Sequence, residues 1–263
     1  MCGLTDSLQM QSKRKRMTLR SSKQRMLTTE DVEFSLTDDG STTIKRKDTG
    51  WMYRSSHGAL KESQQVFVHG ALERQKKKKL YIFEFGFGMG MNFHATTEYA
   101  REQQIEIHYE AIDHLPIPPE CTENPVSKQA LEQARSTGKT SVVDFELGQL
   151  ILHPSPFQET KLEGTFDAIY HDPFGPVANP ECWTVECFRW EYPLLSENGI
   201  WTSYGAAGVI RRALAQAGFF VAVGEGIGKK RETTRAAKQE STLEGYKVKY
   251  RPSSLRKEEI VAN

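Results

Sequence analysis

The sequence predicts an α/β fold: a mostly parallel, doubly wound seven-stranded sheet carrying a small N-terminal cap. Three observations carry that expectation. From Leu80 onward, short apolar runs alternate with segments of helical length. The first run, Leu80 to Phe85, passes into Gly86-Phe-Gly-Met-Gly90 and then a helical stretch, so strand, glycine loop and helix follow without a break. Each of the first two strands also carries a carboxylate at its end, Glu84 in the first and Asp113 in the second.

The elements follow in chain order. Residues 1–29 hold seven Lys or Arg against Asp6 alone and few large apolar groups, which predicts a disordered basic leader. Residues 30–78 form the cap. Asp39-Gly40 between alternating segments is a hairpin signal, and a helix after Gly58 turns Ala59, Leu60, Val66 and Phe67 toward the first main strand. Residues 79–240 form the main domain, with strands expected at 80–85, 106–113, 141–147, 166–172, 199–204, 219–224 and 231–237. Helices are expected at 91–102, 126–136, 180–195 and 207–217, the third started by Asn179 as N-cap and Pro180 as first helical residue. The charged tail, 241–263, offers one further strand at 246–250.

A chain of 263 residues with 38% hydrophobic residues can bury one large core, not two. Net charge is +1, but outside the leader 28 basic residues stand against 33 acidic ones, so a polyanion has to be met by local patches. Cys2, Cys121, Cys182 and Cys187 form no C-x-x-C pair and have no histidine at metal spacing, which speaks for reduced thiols and against a metal site. No run reaches the roughly 18 apolar residues of a membrane span, and no apolar segment follows the basic N-terminus as in a signal peptide. A cytoplasmic protein without membrane contact is expected. Lys76 to Lys79 precede the first strand and therefore belong at the end of the sheet away from the glycine loop.

The loop separates two cofactor classes. A dinucleotide site needs G-x-G-x-x-G to seat a diphosphate, whereas here the third glycine comes one residue early and Met91 stands in its place. Glu84 would repel a diphosphate but suits a ligand carrying positive charge. S-adenosylmethionine, with a sulfonium, an ammonium and no phosphate, fits. Asp113 lies about twenty residues past the loop, where a ribose-binding acid is expected. A bare turn with strand-capping acids would explain each piece alone, but not their combination.

The second constellation is Phe166-Asp-Ala-Ile-Tyr-His-Asp172-Pro173-Phe174. Ligands in such sheets sit beyond the carboxyl ends of the strands, so Asp172 should share a rim with Glu84 and Asp113. An acid there accepts hydrogen bonds from an amine, proline stiffens the turn, and an aromatic ring stacks on a planar base. His171 points to the opposite face and reads as a packed histidine, while Trp183 suits core packing and substrate contact equally. Lys229, Lys230 and Arg231, in the glycine-rich setting of Gly224, Gly226 and Gly228, sit on the cofactor side and suit phosphates.

Phe85-Gly-Phe-Gly-Met-Gly-Met-Asn-Phe, His171-Asp-Pro-Phe-Gly-Pro-Val-Ala-Asn-Pro-Glu-Cys-Trp-Thr and Gly226-Ile-Gly-Lys-Lys-Arg-Glu resemble the methyltransferase domain of the MnmC-type enzymes. Those enzymes make 5-methylaminomethyl-2-thiouridine at the wobble position of bacterial tRNA. Asp39-Gly-Ser and Ser56-His-Gly-Ala-Leu-Lys-Glu-Ser are similar to stand-alone members lacking the FAD-dependent oxidase half. The resemblance covers roughly 31–238 and implies a class I S-adenosylmethionine methyltransferase fold. It implies that Glu84, Gly86, Gly88, Gly90, Asn92 and Asp113 hold the cofactor, and that Asp172 faces the substrate amine with Pro173, Phe174 and Trp183 beside it. It further implies a tRNA anticodon loop as partner and upstream enzymes that install the aminomethyl group. Two positions depart from the family pattern. Gly148-Gln149 stands where Gly-Asp is usual, so Gln149 is expected to meet the adenine through its amide oxygen, and Pro173 replaces a glycine of the bifunctional enzymes. A small-molecule amine methyltransferase and a catalytically silent tRNA-binding protein of the same fold stay open as alternatives.

The loop chemistry predicts that calorimetry will detect binding of S-adenosylmethionine and S-adenosylhomocysteine and none of NAD; saturable NAD binding would overturn the reading of Glu84.

Overall fold

The structure, a computed structural model, describes residues 25–54, 58–226 and 232–252. The expectations for residues 1–24, for Ser56 and His57 and for Lys229, Lys230 and Arg231 lie outside the described residues.

The chain opens with a hairpin, β1 (Val32–Leu36) and β2 (Thr42–Arg46), turned at Gly40 with φ +81°. A continuous helix over 59–71 follows, in which α1 (Ala59–Glu62) and α2 (His69–Ala71) flank a π-helical stretch, Ser63–Val68. Asp39 joins the two. Its Oδ1 accepts from Thr37 Oγ1 (2.6 Å), Ser41 Oγ (2.5 Å) and Ser41 N (3.1 Å), and its Oδ2 accepts from Lys61 N (3.1 Å) in the first turn of α1. Burial pushes the Asp39 carboxyl up, but the hydrogen bonds from Ser41, Thr37 and Lys61 outweigh it and leave the group below the usual carboxylate range. With both ends tied, residues 51–54 run as a strap along β2: Lys45 and Met52 form a bridge, Tyr53 N donates to Ile44 O (2.9 Å) and Arg54 N to Thr43 Oγ1 (3.1 Å).

The main sheet begins at β3 (Lys79–Phe85) and continues through α3 (Met91–Gln103), β4 (Glu106–Ile112), α4 (Pro125–Thr137), β5 (Ser141–Phe145), β6 (Gly148–His153) and β7 (Phe166–His171). It is completed by α5 (Val185–Glu191), β8 (Leu195–Ser203), α6 (Gly208–Gln216), β9 (Phe220–Glu225), β10 (Glu232–Ala237) and β11 (Lys247–Tyr250). Strand order is β11-β9-β10-β8-β7-β3-β4-β6-β5. From β8 to β6 the pairings are all parallel, while β5, β10 and β11 run against their neighbours. The chain moves outward from β3 through β4 to β6, then returns to β7 on the other side of β3. That reversal makes the β3/β7 boundary the switch point, where open α/β sheets bind ligands.

Alternation along the strands gives the sheet two cores. Leu80, Ile82, Ile107, Tyr109, Ala168 and Tyr170 face the helix at 59–71, α3 and α4; Phe83, Phe85, Ile169 and Trp201 face α5 and α6. The helices bury the faces their sequences dictate. In α3, Phe93, Thr96, Thr97 and Ala100 recur at steps of three and four; in α4, Ser127, Ala130, Leu131 and Ala134 do the same. Asn124 caps α4 by accepting from Ser127 N (2.9 Å).

Several expectations require correction. The third strand does not run alone over 141–147. It is the antiparallel edge strand β5, which turns back at 146–147 into β6, and β6 is the strand that pairs with β4. Gly148 at φ +141° allows this, because a Cβ there would collide with Ile107 O. Among the described residues the sheet has nine strands: the seven expected, the tail strand expected at 246–250, which is β11, and β6, which was not expected. The helix expected over 180–195 is broken into a 3-10 turn (Pro180–Trp183), α5 and a second 3-10 turn (Tyr192–Leu194). Thr184 is extended there and its Oγ1 caps α5 by accepting from Cys187 N (3.2 Å), whereas the Asn179 side chain reaches Glu181 instead of capping. The leader, expected to be unstructured through residue 29, is packed from Leu27 onward: Leu27 is buried and its carbonyl accepts from Arg135 Nη2 (2.8 Å).

If Asp39 holds the strap in place, Asp39→Ala should lower stability by about 1–3 kcal/mol in urea unfolding and speed amide exchange at Tyr53 and Arg54 beyond the rest of the sheet. Uniform exchange along the chain would show that the strap is held elsewhere.

Candidate active site

Strand parity brings the acids together. Leu80, Ile82 and Glu84 alternate onto one face of β3, and Tyr170 in β7 and Asp172 just past its end come to that same face, with Glu84 paired to Tyr170 and Phe85 to His171. Asp172 N donates to Phe85 O (2.8 Å), and Gly86 N to Ile112 O (3.0 Å), so the strand ends form one rim at the switch point. Gly86, at φ +93°, permits the approach: a Cβ there would lie 2.9 Å from Asp172 O.

The side chains form one connected network. Asn92, in the first turn of α3, uses Nδ2 to donate to Glu84 Oε1 (2.6 Å) and to Asp172 Oδ2 (2.9 Å). Tyr109 OH donates to Glu84 Oε2 (2.9 Å). From the strap, Arg54 Nη1 reaches Asp172 Oδ2 at 2.5 Å, both side chains being buried. Glu84 is 0% exposed, and burial, reinforced by the charge of Asp172, pushes its carboxyl up to about 8 against the pull of Arg54, Tyr109 and Asn92. Burial works against the Arg54 charge too, but the carboxylates of Asp172, Glu84 and Glu62 hold its pKa above the ordinary value. Asn92 Oδ1 is buried and accepts no hydrogen bond.

Asp113 closes the loop from the β4 side. Its Oδ2 accepts from Gly88 N (2.8 Å) and its Oδ1 from Leu115 N (3.2 Å), while burial raises its carboxyl. The Tyr53 ring covers the loop, 3.3 Å from where a Cβ on Gly88 would stand, and meets Phe174 edge-on at 4.8 Å; Trp51 lies 5.9 Å from the same Phe174 ring. The turn after Asp172 is fixed by two rings, since Pro173 O accepts from Tyr204 OH (2.6 Å) and Phe174 O from Trp183 Nε1 (2.8 Å). Gly90, the N-cap of α3 at φ +73°, packs so closely that a Cβ would collide with Ser127 Oγ and the Phe87 ring.

On the opposite face, His171 is fully buried among Phe85, Trp183, Phe188 and Trp201. Its Nδ1 bonds Glu191 Oε1 (2.8 Å), and Glu191 Oε2 accepts from Trp201 Nε1 (2.8 Å). This layer supports Asp172 from beneath.

Thus Glu84, Gly86, Gly88, Gly90, Asn92, Asp113, Asp172, Pro173 and Phe174 gather at one rim, while Trp183 packs in the core of the opposite face against His171 and reaches the turn only through its bond to Phe174 O. Gln149 does not join the rim. It pairs with His108 near the start of β4, at the far end of the sheet, and its Nε2 donates to Asp144 Oδ1 (2.8 Å). The expectation placed it past a strand end, whereas it begins β6. Lys77 and Lys79 are paired at that same far end, with Asp167 and Glu106. Sequence reasoning missed Tyr53 and Arg54, and a single arginine among aromatics before a helix-starting glycine was the one signal they offered.

Residues 154–239 match the family described as S-adenosyl-L-methionine-dependent methyltransferase. Among curated proteins, the tRNA 5-methylaminomethyl-2-thiouridine biosynthesis bifunctional protein MnmC of Nitrosospira multiformis is 44% identical over 66 residues, 25% of this chain and 11% of that protein. The protein of the same name from Pseudoalteromonas atlantica is 38% identical over 92 residues, 35% of this chain and 13% of that one. The chain thus matches only a small part of the length of these relatives. Among solved structures, MNMC2 from Aquifex aeolicus superposes with a TM-score of 0.62 at 23% identity, covering 91% of this chain and 84% of that one, which shows the shared fold. The family match over residues 154–239 and the shared class I α/β fold relate this chain to the S-adenosyl-L-methionine-dependent methyltransferases.

The rim fits that cofactor. The orphaned Asn92 Oδ1 is an acceptor and Glu84 an anion-to-be, both suited to an ammonium; Asp113 and the Gly88 backbone suit a ribose. An ammonium beside Glu84 favours its ionised form, so below about pH 8 binding must release the Glu84 proton. The affinity for S-adenosylhomocysteine should therefore rise with pH up to about 8, by at most about tenfold per unit, and level off above it. Glu84→Gln should flatten the profile. Calorimetry across pH 6–9 (roughly) in buffers of different ionisation enthalpy reads both effects.

Proposed function

We propose that this methyltransferase acts on the 5-aminomethyl group of the wobble uridine in tRNA, giving 5-methylaminomethyl-(2-thio)uridine. The observation that carries the reading is Asp172, an acid on the rim joined through one amide to the cofactor-side Glu84 and followed by the Pro173-Phe174 turn. The names of the curated relatives point to the same modification. Trp51, Tyr53 and Phe174 offer aromatic faces to a planar base, and Val177, 93% exposed in the loop after Asp172, offers an apolar contact. Lys229, Lys230 and Arg231 are assigned to phosphates. The tRNA anticodon loop is the partner, reached in the cytoplasm after other enzymes have installed the aminomethyl group.

When bound, S-adenosylmethionine supplies an electrophilic methyl group. The protein supplies placement, which for two reactants held in line is worth about 7–11 kcal/mol. An alkylamine is mostly protonated at neutral pH, so the site has to take up the neutral form or accept a proton first. Asp172 accepts an N–H of the amine, aims its lone pair, and stabilises the cation that develops on nitrogen. The fixed Pro173 and Phe174 carbonyls keep the turn from yielding as that charge forms. The acidic balance of the chain outside its leader favours a second reading, a small-molecule amine as acceptor.

Nucleoside mass spectrometry of tRNA from a deletion strain tests the reading: accumulated aminomethyluridine supports the tRNA substrate, and an unchanged profile points to the small amine or to a catalytically silent tRNA-binding protein. In single-turnover methyl transfer, Asp172→Asn should slow the reaction by roughly 10² or more and Asp172→Ala further. Near-normal transfer by Asp172→Ala would remove Asp172 from the reaction.

A further inference from the structure

We propose that Arg54 is the receptor for the amino-acid carboxylate of S-adenosylmethionine, and that cofactor binding draws its guanidinium off Asp172. The cofactor's amino-acid end carries an ammonium and a carboxylate. Glu84 and Asn92 Oδ1 answer the ammonium. They do nothing for the carboxylate, which would enter a pocket already holding the side chains of Glu84 and Asp172 and be repelled by both. A cation must be at hand, and Arg54 is buried against these two acids. Its planar fork of donors matches a carboxylate in two parallel hydrogen bonds, a geometry a lysine cannot reproduce.

The attachment of Arg54 suits an exchange of partners. Its backbone is fixed, with N donating to Thr43 Oγ1 (3.1 Å), and its guanidinium lies over the Phe67 ring at 5.8 Å. The long stem between these points lets the head swing across the ring while the strap stays in place. Asp172 is not left bare by the move, because Asn92 Nδ2 still donates to it.

Charge is conserved through the exchange. In the free protein below about pH 8, protonated Glu84 contributes nothing, and Arg54 balances Asp172. With cofactor bound, sulfonium, ammonium and Arg54 face the cofactor carboxylate, Asp172 and ionised Glu84, so positive and negative charges again cancel. Glu62, also in the field of Arg54, is common to both states. The consequence is an order of binding: Asp172 becomes available to an amine only after the cofactor has engaged Arg54. This inference rests on the cofactor and not on the identity of the acceptor, so a different methyl acceptor would leave it standing.

Calorimetry with S-adenosylhomocysteine and its decarboxylated analogue, S-adenosyl-3-thiopropylamine, tests it without any turnover. The wild-type protein should bind the analogue about ten- to a hundredfold more weakly. Arg54→Gln and Arg54→Lys should lose affinity for S-adenosylhomocysteine and no longer distinguish the two ligands, with thermal unfolding monitored to show that each variant is folded. Equal binding of both ligands by the wild type, a comparison that needs no variant, would overturn the proposal. So would an Arg54→Gln protein that still prefers the carboxylated ligand by the wild-type factor.

Discussion

One amide group holds two carboxylates together at the centre of this molecule, and the rest of the site follows from keeping that arrangement stable. Asn92 Nδ2 lies 2.6 Å from Glu84 and 2.9 Å from Asp172. Two buried carboxylates at such separations cannot both stay ionised without a counter-charge. The protein uses two remedies at once: a proton retained by Glu84 and the guanidinium of Arg54 against Asp172. The second remedy explains why the N-terminal hairpin is fastened so firmly. A loose strap could not keep a charged arginine in a dry site, and Asp39 fastens it at the turn and at α1 together.

The sheet makes the arrangement possible through parity and topology. Glu84 and Asp172 share a face only because β3 and β7 are parallel neighbours with Glu84 level with Tyr170. The other face of the same strand ends is filled by His171, Glu191 and Trp201, bonded to one another within an aromatic shell. Rigid packing on one side and a polar network on the other fix the height of the rim.

Those parts of the site that lie within one element were legible in the sequence. The run from Leu80 to Asn92 contains its own strand, turn and helix start, so Glu84 and the three glycines could be placed from local pattern alone. Asp113 and Asp172 were legible for the same reason, each closing a buried apolar run. Gln149 was misplaced because the short run Leu150 to Leu152 was not recognised as a strand of its own, and one unrecognised hairpin moved the residue from one end of the sheet to the other. Arg54 was missed, since a lone arginine among aromatics was the one local signal it offered. Its role depends on a contact with a residue far along the chain, and neither periodicity nor spacing encodes such a contact.

That distance along the chain has a consequence for how the protein comes into being. Arg54 leaves the ribosome well before Asp172, and its partner cannot exist until β7 has been made and docked beside β3. Until then the guanidinium has no reason to leave water, and the hairpin must wait beside an unfinished sheet. Closing a loop of this length is entropically unfavourable and is repaid only when strands from both halves are in register. The contact between Arg54 and Asp172 therefore cannot form before β7 is in place, and a chain that stalls during synthesis before β7 contains every glycine of the loop after β3 but lacks Asp172.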